Sequence, residues 1–145
     1  MALAACQPSA SSAVELGRSP AGLEQVQLTI SSHGKEHRFV TEVARTPEEQ
    51  TQGLMYRNAL APDRAMIFPF DPPRQASFWM KNTLIPLDMI FVRADGSIAN
   101  IAANTVPLSL QPVYSEGEVA AVLEIAGGRS AELGVQPGDK VAWKD

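Results

Sequence analysis

Residues 78–92, "FWMKNTLIPLDMIFV", set Lys81, Asn82, Thr83 and Asp88 inside an otherwise apolar run. An ionised carboxylate among apolar neighbours has to be paired or hydrogen-bonded, because an isolated buried charge costs several kcal/mol. Two uses of Asp88 follow. It can accept bonds from the backbone around residues 82–84, or pair with Lys81, and so fix the bend before it. Alternatively Lys81, Asn82 and Asp88 line one pocket for a polar ligand. Trp79 falls on the Lys81 side and either offers a platform to a ligand or takes the lysine stem along its indole. Glu124, in "VAAVLEI", is the second carboxylate within an apolar run. With Asp88 it could work as an acid and base, Lys81 or Arg57 holding an anion. Met55, Met66, Met80 and Met89 crowd one segment. Thioethers of Met55 and Met80 beside Trp79 could hold Cu(I), though filling an irregular core is the commoner use. His33 and His37 are spaced i, i+4, but Gly34 and strand-like flanks remove the helical ligand geometry, so no other metal and no cofactor is expected.

The elements that must position these groups are short. "QVQLTI" and "HRFVTEVA" alternate apolar and polar residues about the turn "SSHGKE", which predicts a hairpin. Thr46, Pro47 and Glu49 form a helix start with a capping box, and Gly53 ends that helix early. "AMIFPF" reads as a strand, and "DPPRQ" cannot enter a sheet interior because two prolines lack donors. Residues 77–81 and 87–92 read as strands joined through Asn82–Pro86. "ADGS" is a hairpin turn leading into "IANIAAN". Residues 104–118 form a long irregular loop, "VAAVLEI" a strand, "GGRSAEL" a short helix opening at Gly128, and "KVAW" a closing strand. The pattern predicts a mainly β (α+β) fold, a compact partly closed barrel or sandwich of short strands with two short helices.

The chain has 145 residues, 45% of them hydrophobic, enough for one packed domain. A net charge of −4 gives no electrostatic footprint for nucleic acid. The single cysteine, Cys6, excludes an intrachain disulfide. It follows Leu3-Ala4-Ala5 and precedes a Ser/Pro/Ala-rich stretch, as in a bacterial lipoprotein cleavage box whose charged and apolar leader is cut short. Residues 1–22 are therefore read as a signal remnant and disordered tether, and 23–145 as one globular β-rich domain. Lipidation of Cys6 would anchor the chain to a membrane, extracytoplasmic and periplasmic. The alternative is a cytoplasmic protein with an incidental thiol.

"GLMYR" at 53–57, "FWMKNTLIPLDMIFV", "VLEIAGG" at 122–128 and "PGDKV" at 137–141 resemble the bacterial and archaeal family known as domain of unknown function 192. The resemblance spans residues 27–143 and implies a small, mostly β domain, often exported, with no established activity. Where the family tends to place glycine before the methionine of "RAMIFPF", this chain has Ala65. The resemblance also implies that Arg57, Lys81, Asp88 and Glu124 gather in space. Arg57, Trp79, Lys81, Asn82, Thr83, Asp88 and Glu124 are the ligand-binding candidates. The expected function is a tethered, non-catalytic envelope module that binds a small ligand or a partner protein. Two alternatives stay open: an enzyme on an envelope or carbohydrate substrate using Asp88 and Glu124, and a Cu(I) protein using Met55, Met80 and Trp79.

Overall fold

The computed structural model describes residues 16–144. The chain runs β1 (Gln25–Ser32), β2 (Lys35–Val43), α1 (Pro47–Gln52), β3 (Arg64–Phe78), β4 (Leu87–Val92), β5 (Ile98–Ala102), β6 (Val113–Ala126), α2 (Arg129–Leu133) and β7 (Lys140–Trp143). All seven strands join one sheet in the order β5-β4-β6-β3-β2-β1-β7. Every pairing is antiparallel except β2 with β3, which are joined through α1. The sheet curls into a half-barrel. Its edges meet where Ile98 N donates to Asp139 O (2.9 Å) and Val141 N to Gly96 O (2.8 Å).

Curling gives the sheet an inner and an outer apolar face. The inner cluster draws on every strand, with Leu28, Phe39, Ile67, Ile90, Ile98, Leu123 and Val141 among its members. The outer cluster, with Met66, Phe68, Met80, Met89, Phe91 and Val122, lies over β3, β4 and β6. Residues 53–57, 79–86 and 103–112 flank that outer side, in place of a second sheet. Both faces of β4 are therefore buried along its whole length. A strand closed on both faces reads as a continuous apolar run, which is how 87–92 looks in the sequence. Met66, Met80 and Met89 all fill the outer cluster, in keeping with the adaptability of an unbranched thioether.

Helix α1 starts as expected. Thr46 Oγ1 accepts from Glu49 N (3.1 Å) and Glu49 Oε2 from Thr46 N (3.2 Å). Gln50 then donates to Ala44 O (3.0 Å) and Pro69 O (2.9 Å), fastening the helix across the ends of β2 and β3. Gly53 has φ of 46°, and a Cβ there would stand 3.2 Å from Phe68 Cζ. The backbone must pass this close for Leu54 to reach the outer core, where it is 3% exposed.

Four expectations are corrected. Strand β3 continues beyond "AMIFPF" to Phe78, because its pairing with β6 resumes at Arg74 after an unpaired excursion through the prolines. Residues 79–81 are not strand: Thr83 N bonds Met80 O (3.1 Å) and closes a turn there. Residues 16–22, read as tether, are tied to the domain. Gln25 N donates to Gly17 O (3.2 Å), and Ser19 N to Leu23 O (2.8 Å) around a turn. Strand β6 starts at Val113, so the irregular connection before it is shorter than the composition suggests. Ala65 pairs with Thr41 and Ile125 and is buried in the inner cluster, so its methyl is core packing. Cys6 and the tether expected over residues 7–15 lie outside the described residues.

Candidate functional site

Asp88 and Glu124 are both on central strands, and the register decides their roles. Asp88 pairs with Ile125, and Met89 with Glu124. Successive side chains on a strand point to opposite faces, so Asp88 projects to the inner face and Glu124 to the outer. The acid–base pair expected from the sequence is not formed.

Asp88 is fully buried. Its Oδ1 accepts from Asn104 N and Gly128 N, each at 2.9 Å. Its Oδ2 accepts from Ser130 N at 2.9 Å and Ser130 Oγ at 2.5 Å. Four donors occupy both oxygens, the set an ionised carboxylate can satisfy. The expectation that Asp88 organises backbone holds, but the expected partners do not. The donors come from the loop after β5 and from the start of α2, not from residues 82–84 or Lys81. Gly127 makes this possible: a Cβ at that position would stand 2.9 Å from Pro86 Cβ and 3.0 Å from Asn104 Oδ1. Ser130, in the first turn of α2, gives both its amide and its hydroxyl to this carboxylate, and Gly128 at the N-cap has no side-chain cap bond.

Glu124 is the opposite case. It is 5% exposed and flanked across the sheet by Met66 and Met89. Among the described residues no hydrogen bond or ion pair reaches its carboxyl. Desolvation raises its pKa from 4.5 to about 8, so at neutral pH it is mostly a neutral acid with an O–H to donate. It lines a cleft of about 240 Å³ with Gln52, Met55, Ser77, Trp79 and Thr83. Phe68 and Phe78, edge to face at 5.0 Å, also line it. Thr83 Oγ1 donates to Lys81 O (3.1 Å), which leaves its lone pairs for a ligand.

The other candidates are placed separately. Arg57 Nη2 lies 2.7 Å from Glu42 Oε2, a partly buried ion pair in charge contact without the alignment of a hydrogen bond. Glu42, Met66, Glu124 and Met89 form one row across four strands, with the two carboxylates about 10 Å apart at two strand spacings. Lys81 Nζ sits 5.1 Å from the centre of the Trp79 ring at the rim of the cleft, so the lysine does lie on the indole. Asn82 has φ of 53° and accepts from Tyr56 N through its carbonyl (2.8 Å), a left-handed position that asparagine tolerates. Arg57, Lys81, Asp88 and Glu124 therefore do not form one cluster. Met80 is 1% exposed with its sulfur 3.1 Å from Thr105 Oγ1, while Met55 lines the cleft, so the two thioethers do not share one opening. The sequence reading missed Glu42 and Ser77. An arginine expected at a buried site, Arg57, was the available signal for an acid such as Glu42.

Replacing Asp88 by Ala strands three backbone amides and a hydroxyl, and should lower stability by about 3 kcal/mol or more. Denaturant titration reads this as a shifted midpoint at constant slope. For Glu124 the folded chain keeps a proton that the unfolded chain releases above pH 4.5. Stability should therefore fall from about pH 4.5 to about pH 8 and level off beyond. Glu124→Gln should flatten that decline and gain about 3 kcal/mol at pH 7. Melting curves recorded across this range check it, and parallel profiles for the two proteins would contradict it.

The chain is similar to known proteins over nearly the whole of this fold. The family model for domain of unknown function 192, described as Uncharacterized ACR, matches residues 28–143. A protein of unknown function from Novosphingobium aromaticivorans DSM 12444 has a crystal structure that superposes with a TM-score of 0.87. The two are 45% identical, covering 97% of this chain and 100% of that one. A protein described as a proposed transcription regulator, from Sinorhizobium meliloti 1021, superposes at 0.81 with 40% identity. That match covers 83% of this chain and 95% of the other. No curated protein matches. With a single family model spanning both the Asp88 knot and the Glu124 cleft, the chain belongs to the domain of unknown function 192 family.

Proposed function

We propose that the domain is a non-catalytic binding module whose Glu124 cleft takes a small, uncharged, hydrogen-bonding ligand, such as an amide or a polyol. One observation carries the reading. A carboxyl that is almost wholly buried, unpartnered and protonated at neutral pH opens onto a cleft. Leaving such a group unbonded costs about 1–3 kcal/mol, a cost that an incoming donor–acceptor pair would recover. The neutral acid supplies one donor and one acceptor, and Thr83 and Ser77 add hydroxyls. Trp79 gives a flat apolar wall. Lys81 at the rim disfavours a cationic ligand.

Catalysis is less well supported. Glu124 is the one acid among the residues lining the cleft. Asp88 faces the other way and Glu42 is engaged by Arg57. The regulator description of the Sinorhizobium protein is not carried over, since a net charge of −4 argues against nucleic acid. We further propose that the module works on the outer side of a bacterial cytoplasmic membrane, held by lipid on Cys6. The Leu3-Ala4-Ala5-Cys6 string supports this.

A panel of neutral amides, monosaccharides and amines, screened by ligand-observed NMR, tests the cleft. Uncharged compounds should bind the parent, weaken above about pH 8, and lose about tenfold in affinity with Glu124→Ala. Equal binding by the variant, or no binding by the parent, would end the proposal. For the anchor, the chain expressed behind an export signal should incorporate an alkyne-tagged fatty acid, and Cys6→Ser should not. Absence of label in both would remove it.

A further inference from the structure

The rim of the cleft carries a second feature, independent of its ligand. Among the described residues the exposed large apolar side chains are Tyr56, Trp79, Leu84, Val106, Leu108, Leu110 and Tyr114. All belong to three neighbouring stretches of chain. Tyr56 N donates to Asn82 O (2.8 Å), Leu108 N to Thr83 O (3.0 Å) and Met80 N to Ser109 O (3.0 Å), so the loops are stitched side by side. Tyr114 pairs with Ser77, two residues before Trp79. Exposed apolar residues scattered singly need no explanation, whereas a contiguous set marks an interaction surface.

We propose that this rim seats on a lipid bilayer surface. Residues 79–86 and 103–114 contain no acid, and Lys81 is their one charge. The rest of the chain carries the net negative charge, so an anionic membrane repels the body and tolerates this end. Tryptophan, tyrosine and lysine are the side chains that settle at the headgroup level, with leucine and valine reaching past it. The backbone of the loop is already bonded: Ser109 N reaches Val106 O (3.3 Å), beside the two bonds to Thr83 and Met80. Such a turn brings few unpaired amides towards lipid. Leu108 has φ of 65°, an unfavourable conformation for leucine that turns its side chain outward to 58% exposure. The chain enters from the same side. Leu23 packs on the outer core cluster together with Phe78 and Ile85. Nine residues separate Cys6 from Leu16, a span of up to about 35 Å. An acyl group on Cys6 would therefore reach the membrane on which the rim sits.

The test uses the full unacylated chain, so it does not depend on the anchor, and it includes Glu124→Gln as a cleft variant. The protein is mixed with vesicles of phosphatidylcholine and phosphatidylglycerol, with and without brominated acyl chains. With Trp143 replaced by Phe in every variant, so that Trp79 is the sole tryptophan, its fluorescence should shift to the blue and be quenched by bromine. The triple change Val106→Ser, Leu108→Asn and Leu110→Ser should cut vesicle partition about tenfold or more at unchanged melting temperature. Asn is chosen because it accepts positive φ. Glu124→Gln should partition like the parent. No quenching in the parent, or equal partition by the triple variant, would overturn the proposal. So would concentration-dependent dimerisation that the triple variant abolishes, since the rim would then meet a second copy.

Discussion

A strand buried on both faces, as β4 is, has no water to answer its polar groups, and Asp88 is where this chain meets that constraint. Its two oxygens collect donors from the loop after β5, the turn after β6 and the first turn of α2. The loop after β5 is distant in sequence from the turn that runs into α2, and the two share no strand pairing at that point. The carboxylate gathers them at one corner of the half-barrel. Gly127 can approach Pro86 closely, α2 can begin without a side-chain cap of its own, and Thr105 can reach back to Leu87 N and O. The corner closes the inner core and also fixes where the outer loops start.

Glu124 shows the same constraint left unanswered. It stands one register step from Asp88 on the neighbouring strand, which turns it to the opposite face. There the cover is a set of loops, not a fitted array of amides. The protein tolerates the desolvation by keeping the proton, and the cleft above the acid stays open. A buried group that is fully bonded stabilises structure, while one held neutral and unbonded is poised for something to meet it. The two acids look alike in the sequence, yet one closes a core and the other opens a site.

Much of the fold was legible. The opening hairpin, the capped helix, the Asp95-Gly96 turn and the run 87–92 follow from local rules of periodicity, capping and turn chemistry, and they appear as read. The misread elements are those in which distant pairing overrode local signals. β3 resumes after its prolines because β6 lies alongside to receive it, and 79–81 leaves the sheet because Asn82 and Thr83 make a turn. The site was legible only in part. Trp79, Thr83 and Glu124 do meet at the cleft, and Lys81 does lie on the indole. Scaffolding was one of the two uses read for Asp88, but its donors lie 16 to 42 residues away, and no local spacing could reveal them. Glu42 escaped notice because alternation put it opposite Phe39, Thr41 and Val43, on what looked like a wet face.

By itself the amino-acid order determined which residues are apolar, where turns break the strands, and that a carboxylate at position 88 had to find partners. Those are local matters of period, dihedral preference and desolvation. Only the tertiary structure decided which partners Asp88 found, that Glu124 found none, and that the exposed apolar side chains share one rim. Each of those outcomes depends on strand register and loop packing, where a shift of one residue sends a side chain to the other face.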